Sequence, residues 1–270
     1  MRERCCGTGG TFVVNPPRSW PKPIHRTRRV SVSRTIRGDD AGGRLTARPG
    51  QPTRAVEPGL HRLGLDPRRD ALLYVPAGYD AARPAPLVVM LHGAGGSGQN
   101  ALRILQGLAD EAGLVLLAPD SRDQTWDVIV GGFGPDVAFI QSAMEATFDR
   151  CAVDPAHVAV EGFSDGASYA LSLGLANGDL FTHLIAFSPG FAAPPAQRGA
   201  PEIYVSHGRA DRVLPIDACS RRLVPRLTAA GYAVNYHEFD GAHTVPPDLA
   251  AEAVAWFLGR EPAAEQPPLT

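Results

Sequence analysis

The sequence has no long apolar run, little cysteine and few aromatic residues. No stretch approaches the ~20 apolar residues that a membrane-spanning helix needs, so no span is expected. The four cysteines, Cys5, Cys6, Cys151 and Cys219, show no metal-ligand spacing, and none is expected to hold a metal. Cys151 and Cys219 read as buried residues at a helix end and on a helix face, and all four as reduced thiols. Arg28-Arg29 is not followed by an apolar stretch, so a secretory signal is not indicated and a cytoplasmic location is the default expectation.

Excess charge is missing too, but only in sum. The formal net charge of the 270 residues is −2. Residues 1–50 hold 11 Lys or Arg against 3 Asp or Glu, a balance of +8. The other 220 residues hold 15 against 25, a balance of −10. An acidic body argues against nucleic-acid binding. The basic head, rich in Arg, Gly, Pro, Ser and Thr, has no sustained apolar period. Residues 1–54 are therefore expected to be disordered or loosely attached. The body is expected over residues 55–260, with a flexible Pro- and Glu-rich tail at 261–270. A hydrophobic fraction of 44% is ordinary for a soluble domain with a full core.

Within the body, Leu60–Leu65 and Asp70–Val75 read as an antiparallel opening pair joined through Asp66-Pro67. Leu87–Leu91, Leu114–Ala118, Val158–Gly162, His183–Phe187, Glu202–Ser206 and Ala233–Phe239 follow as strands. The continuous apolar runs among them fit strands buried on both faces. Ala101–Ala112, Asp136–Cys151, the stretch after Ser164, Asp217–Gly231 and Pro247–Gly259 carry helical periods between them. The alternation predicts a doubly wound, mostly parallel sheet with an antiparallel N-terminal edge. In such sheets ligands sit beyond the carboxyl ends of the strands.

Four candidates fall at those ends. Val158–Ser168 reads as a strand turning sharply into a helix through Gly162-Phe-Ser164-Asp-Gly166, a G-x-S-x-G corner. Such a corner exposes the serine hydroxyl and leaves no room for a Cβ at either glycine. The helix start offers backbone N–H groups to a developing anion. A serine hydroxyl needs a base to take its proton, and a histidine titrating near neutrality suits that task. Asp211 and His243 follow in the order nucleophile, acid, base. His207 and His237 are the rival bases. The first reads as structural under the acid loop, and the second alternates within a strand. Asp240 is the rival acid, but it lies only three residues before His243.

Leu91-His-Gly-Ala-Gly-Gly96, Gly162-Phe-Ser-Asp-Gly166, His207-Gly-Arg-Ala-Asp211-Arg-Val-Leu-Pro215 and Gly241-Ala-His243 together resemble serine esterases of the α/β-hydrolase superfamily. The nearest groups are the phospholipase/carboxylesterase family and the polyhydroxybutyrate depolymerase/feruloyl esterase-like family. The resemblance covers about residues 59–260. It implies an α/β-hydrolase fold and a catalytic triad of Ser164, Asp211 and His243. It also implies oxyanion donors at the N–H groups of Asp165 and Ala94, with Gly93 as second choice for the latter. Asp165 stands where these families often carry Gln or Met. Trp126 and His92 are the candidates for the substrate pocket, although each has a packing role as its rival. The activity implied is hydrolysis of small-molecule carboxylic esters through an acyl-enzyme, with no cofactor. A thioesterase or acyl-protein deacylase, or a lysophospholipase, would use the same triad. A non-catalytic binding module would predict a broken one. The motifs specify neither acyl group, alcohol nor oligomeric state.

Overall fold

Each continuous apolar run becomes a strand of a single sheet. The computed structural model describes residues 42–260. The elements run β1 (Gly59–Arg62), β2 (Ala71–Val75), β3 (Ala85–Leu91), α1 (Gly98–Ala112), β4 (Val115–Pro119), α2 (Asp127–Val130) and α3 (Pro135–Phe148). They continue as β5 (Val153–Phe163), α4 (Asp165–Ala176), β6 (His183–Phe187), β7 (Glu202–Gly208), α5 (Ser220–Ala229), β8 (Val234–Phe239) and α6 (Pro247–Phe257).

The eight strands lie in the order β1-β2-β4-β3-β5-β6-β7-β8. β2 pairs antiparallel with both β1 and β4, and every other neighbouring pair is parallel. This is the α/β-hydrolase fold. Its inner strands, β3 to β7, are largely buried on both faces because helices cover both, whereas β1, β2 and β8 are only partly covered. Leu87, Val89 and Leu91 of β3 enter one core layer with Val137, Ile140 and Met144 of α3 and Ala167, Ala170 and Leu171 of α4. Val88 and Met90 enter the other layer with Leu102 and Leu105 of α1 and Ala253 and Phe257 of α6. The crossover from β3 to β5 passes through β4 at the far side, so β5 sits mid-sheet. Its carboxyl end opens between the loops that follow β3 and β6.

Local signals set the element ends. The side chain of Asn100 reaches back to accept from Ser97 N–H at 3.0 Å, which fixes the start of α1. Gly113 ends that helix at φ 72°, a left-handed conformation suited to glycine.

One domain expectation is corrected. Residues 42–54 were placed with the loosely attached head, yet they pack on the body. Leu45 is fully buried and Ala47 nearly so. Asn177 holds this segment, accepting from Leu45 N–H at 2.8 Å and donating to Gly43 C=O at 2.7 Å. Gln141 accepts from Thr46 and Ala47 N–H, and Asp149 C=O accepts from Thr53 and Arg54 N–H. Two of the head's basic residues, Arg44 and Arg48, pair with Asp179. The Arg44 guanidinium holds the Asp179 carboxyl well below the usual carboxylate range. Residues 1–41 and the expected tail at 261–270 lie outside the described residues.

Cys151 and Cys219 are free and buried, but Cys151 lies three residues past α3 and Cys219 stands at the N-cap of α5 instead of lying on its face. Burial pushes the Cys151 thiol up to about 12. Among the described residues no helix is long and apolar enough to cross a membrane.

Candidate active site

β5 ends in the predicted elbow. A Cβ added at Gly162 would lie 2.2 Å from the carbonyl carbon of Gly166. One added at Gly166 would lie 2.1 Å from the carbonyl oxygen of Leu91. Both glycines are therefore required by the crossing of β5, α4 and the end of β3. Between them Ser164 adopts φ 59° and ψ −119°, a region that side chains rarely occupy. Its N–H donates to Phe187 C=O at 2.9 Å, which ties the strained turn to β6. Ser164 is buried, with 8% of its surface exposed.

The loops after β7 and β8 bring the other two residues to it. Ser164 Oγ lies 2.8 Å from His243 Nε2, and His243 Nδ1 lies 2.5 Å from Asp211 Oδ2. With the carboxylate accepting from Nδ1–H, Nε2 is left to accept from the serine hydroxyl. Asp211 Oδ1 accepts from Val213 and Leu214 N–H at 2.8 and 2.9 Å. Burial works to raise the Asp211 pKa, but the bonds from His243, Leu214 and Val213 outweigh it and hold the carboxyl below its ordinary value. Gly208 lets the two loops touch, since a Cβ there would lie 2.4 Å from Ala242 C=O. The Phe163 ring packs against the His243 imidazole at 4.7 Å between centroids.

The rivals are engaged elsewhere. His207 is fully buried, with Nε2 donating to Leu214 C=O and Nδ1 accepting from Ser220 Oγ, both at 2.7 Å. It also lies 3.3 Å from Asp211, and burial lowers its pKa. It braces the acid loop, as its position after a buried strand implied. His237 bonds Asn235 at 2.8 Å and Glu252 at 3.1 Å. Asp240 pairs with Arg209 at 2.7 Å on the surface.

The loop after β3 passes close to the serine. A Cβ built on Gly93 would lie 3.5 Å from Ser164 Cβ, an ordinary contact distance. Of the two roles open to Trp126 and His92, pocket wall or support, their burial favours support. Trp126 is fully buried and His92 is 1% exposed. The indole N–H of Trp126 donates to His92 C=O at 2.8 Å, and its ring lies between His92 and Tyr169. His92 Nδ1–H donates to Gly93 C=O at 2.7 Å, and its Nε2 accepts from Ser121 N–H at 3.0 Å. Burial lowers the His92 pKa, consistent with a neutral ring in both roles. Both side chains stand behind the loop because their polar atoms are needed to fix its backbone.

Sequence reasoning did not assign the buried Asp136 and Glu161 or the half-buried Asp127 to the surroundings of the site. Asp136 accepts from the N–H groups of Arg122 and Asp127, and burial raises its carboxyl to about 6. Asp127 accepts in turn from Gly134 and Asp136 N–H. Glu161, beside Gly162, is fully buried with neither oxygen hydrogen-bonded among the described residues. The only signal for Glu161 was a charged residue inside an apolar run. Thr125, which donates to Asp165 at 2.6 Å, was missed as well. Among the described residues no group of three or more His, Cys, Asp or Glu is placed to hold a metal ion. Two surface clefts, one bounded by Tyr79, Arg83 and His157 and one by His61, Arg68 and Asp120, include none of Ser164, Asp211 or His243.

The chain thus combines an α/β-hydrolase fold with a serine at its strand–helix elbow. No family model matches the chain. It is similar to feruloyl esterase C of Emericella nidulans, with 31% identity over 157 residues, covering 55% of this chain and 57% of that protein. The chain spans about half the length of the curated relatives it matches. The crystal structure of esterase PE8 superposes with a TM-score of 0.52 at 24% identity, covering 66% of this chain and 96% of that one. The Bacillus cereus carboxylesterase superposes at 0.55 and 18% identity, covering 72% and 95%. At these identities the two structures establish the fold.

Proposed function

We propose that the protein is a serine hydrolase that cleaves carboxylic esters through an acyl-enzyme. The observation that carries this reading is the unbroken chain from Ser164 Oγ to His243 Nε2 at 2.8 Å and from His243 Nδ1 to Asp211 Oδ2 at 2.5 Å. His243 takes the proton as Ser164 Oγ attacks the ester carbonyl. Asp211 holds the ring in the tautomer that accepts and stabilises the imidazolium that forms. The depressed carboxyl keeps Asp211 ionised for that task.

The tetrahedral oxygen is held by the N–H of Asp165 and that of Ala94, with Gly93 as the alternative second donor. Asp165 is the first residue of α4, where no intrahelical acceptor exists. Among the described residues the Ala94 N–H has no protein acceptor either. The His243 imidazolium then protonates the leaving alcohol. Water deprotonated by the same ring releases the acid and restores Ser164. None of these steps calls on a metal or organic cofactor.

Between β6 and β7 the chain runs from Phe187 to Glu202 with no helix. The absence of a helical cover at that point favours small or soluble esters. Feruloyl esterase C names the first acyl group to try.

The test is labelling by a fluorophosphonate probe together with hydrolysis of p-nitrophenyl and feruloyl esters. Ser164→Ala is expected to abolish labelling and to lower kcat by about 10⁴-fold or more, on the pattern of other serine triads. Labelling that persists in Ser164→Ala would overturn the assignment.

A further inference from the structure

Loop 121–126, between β4 and α2, has no part in the triad. It nevertheless bonds both segments that supply the proposed oxyanion donors. On the side of the β3 loop, Ser121 N–H donates to His92 Nε2 at 3.0 Å, and Gln124 C=O accepts from Gly95 N–H at 2.6 Å. Trp126 Nε1–H donates to His92 C=O at 2.8 Å. These bonds flank Ala94 and Gly93 on both sides. On the side of the elbow there is one bond, from Thr125 Oγ1 to Asp165 Oδ2 at 2.6 Å. Short α2, which continues the loop, packs on α4.

We propose that Thr125 is a positioning residue. Its hydroxyl clasps the Asp165 carboxylate so that loop 121–126 becomes a splint joining the two halves of the oxyanion hole. This inference rests on the serine-hydrolase reading above. Two N–H groups from separate segments stabilise an oxyanion only when both aim at the same point, and small misplacements are costly. The β3 loop is glycine-rich and cannot hold its own geometry through side-chain packing. The elbow is strained and is fixed mainly by its glycine contacts. The splint supplies the missing relation between them.

The clasp also disposes of a charge. A carboxylate free to turn toward the developing oxyanion would oppose it. Bonded to Thr125, Asp165 is directed at the loop, while its own N–H remains the donor. Asp165 and the threonine forty residues earlier therefore belong together.

The experiment is a double-substitution cycle on the full chain, read by kcat and KM for a p-nitrophenyl ester and by the rate of fluorophosphonate labelling. Thr125→Val keeps the shape and removes the donor. It is expected to lower kcat by about 10- to 100-fold with KM changed less than about threefold. Thr125→Ser, which restores a hydroxyl, is expected to recover most of that loss. Thr125→Val combined with Asp165→Ala is expected to be no slower than Thr125→Val alone, because the freed carboxylate is gone. Asp165→Ala alone completes the cycle, and thermal unfolding of each variant separates a general loss of fold from a loss of positioning.

The proposal is overturned if Thr125→Val stays within twofold of the parent, if Thr125→Ser is as slow as Thr125→Val, or if the two substitutions multiply. In each of these outcomes a labelled parent enzyme leaves the hydrolase reading standing. A parent that neither labels nor turns over any ester overturns that reading instead.

Discussion

Glu161 should make the protein less stable as pH rises from 5 to 7, and replacing it should remove that dependence. Its side chain lies on the face of β5 that Ala159 shares, in the layer closed by α1 and α6. Its register neighbours are Met90 of β3 and Ile185 of β6. It is fully buried with neither oxygen hydrogen-bonded among the described residues, and burial raises its pKa well above the ordinary value. The folded state therefore holds the acid neutral, while the unfolded chain releases its proton above about 4.3. For a carboxyl raised on folding, stability is fully present below the unfolded pKa and declines as pH climbs toward the folded one. The slope can approach about 1.4 kcal/mol per pH unit wherever the unfolded chain has released the proton and the folded group keeps it. Glu161→Met is close in length and apolar, so packing with Met90 and Ile185 should survive. Urea unfolding of parent and variant at pH 5, 6 and 7 is the assay. Asp136, raised to about 6, also erodes stability over part of that range, but it is common to both proteins and cancels in the difference. The variant's advantage should widen steadily as pH rises across the range, by about 1 kcal/mol or more in total. A difference that stays constant within about 0.5 kcal/mol would mean that the carboxyl ionises where it lies, and the reasoning would fail.

Two further outcomes follow from other polar contacts. Asn177→Ala removes the acceptor for Leu45 N–H and the donor to Gly43 and Leu173 C=O. It should cost about 2–3 kcal/mol in urea unfolding and loosen residues 42–54 to proteolysis. Asp211→Asn keeps the volume but loses the charge opposite His243, and should lower kcat by roughly 10⁴-fold with the circular dichroism unchanged. Because the Asp211 carboxyl is held below its ordinary value, its share of stability is present above the unfolded value near pH 4 and drains as pH falls through the folded one. The Asn variant should lack that acid-side loss.

What the sequence disclosed and what it hid divide along a physical line. Buried strands announce themselves because a run such as Leu87–Leu91 can be apolar throughout only where helices cover both faces. Gly162 and Gly166 announce the elbow because no other residue fits contacts near 2 Å. Ser164, Asp211 and His243 could be placed on one rim because each follows a recognisable strand, and the geometry then joins them. Leu45 gave no such sign. It is a single apolar residue whose N–H is held by Asn177, beside Thr46 and Ala47 whose N–H groups are held by Gln141, and side-chain bonds to backbone carry no period. Trp126 is ambiguous in the sequence for a related reason. A large aromatic residue in a polar loop suits a pocket wall as well as a brace, and only the indole bond to His92 C=O separates the two. Thr125 and Asp165 were invisible as a pair because their contact depends on how α2 lies against α4, which no local pattern records. Backbone demands are written into single residues, whereas the supports that aim a site are written into relations between distant ones. Substitutions at loop 121–126 should therefore disturb catalysis more than its unremarkable composition implies.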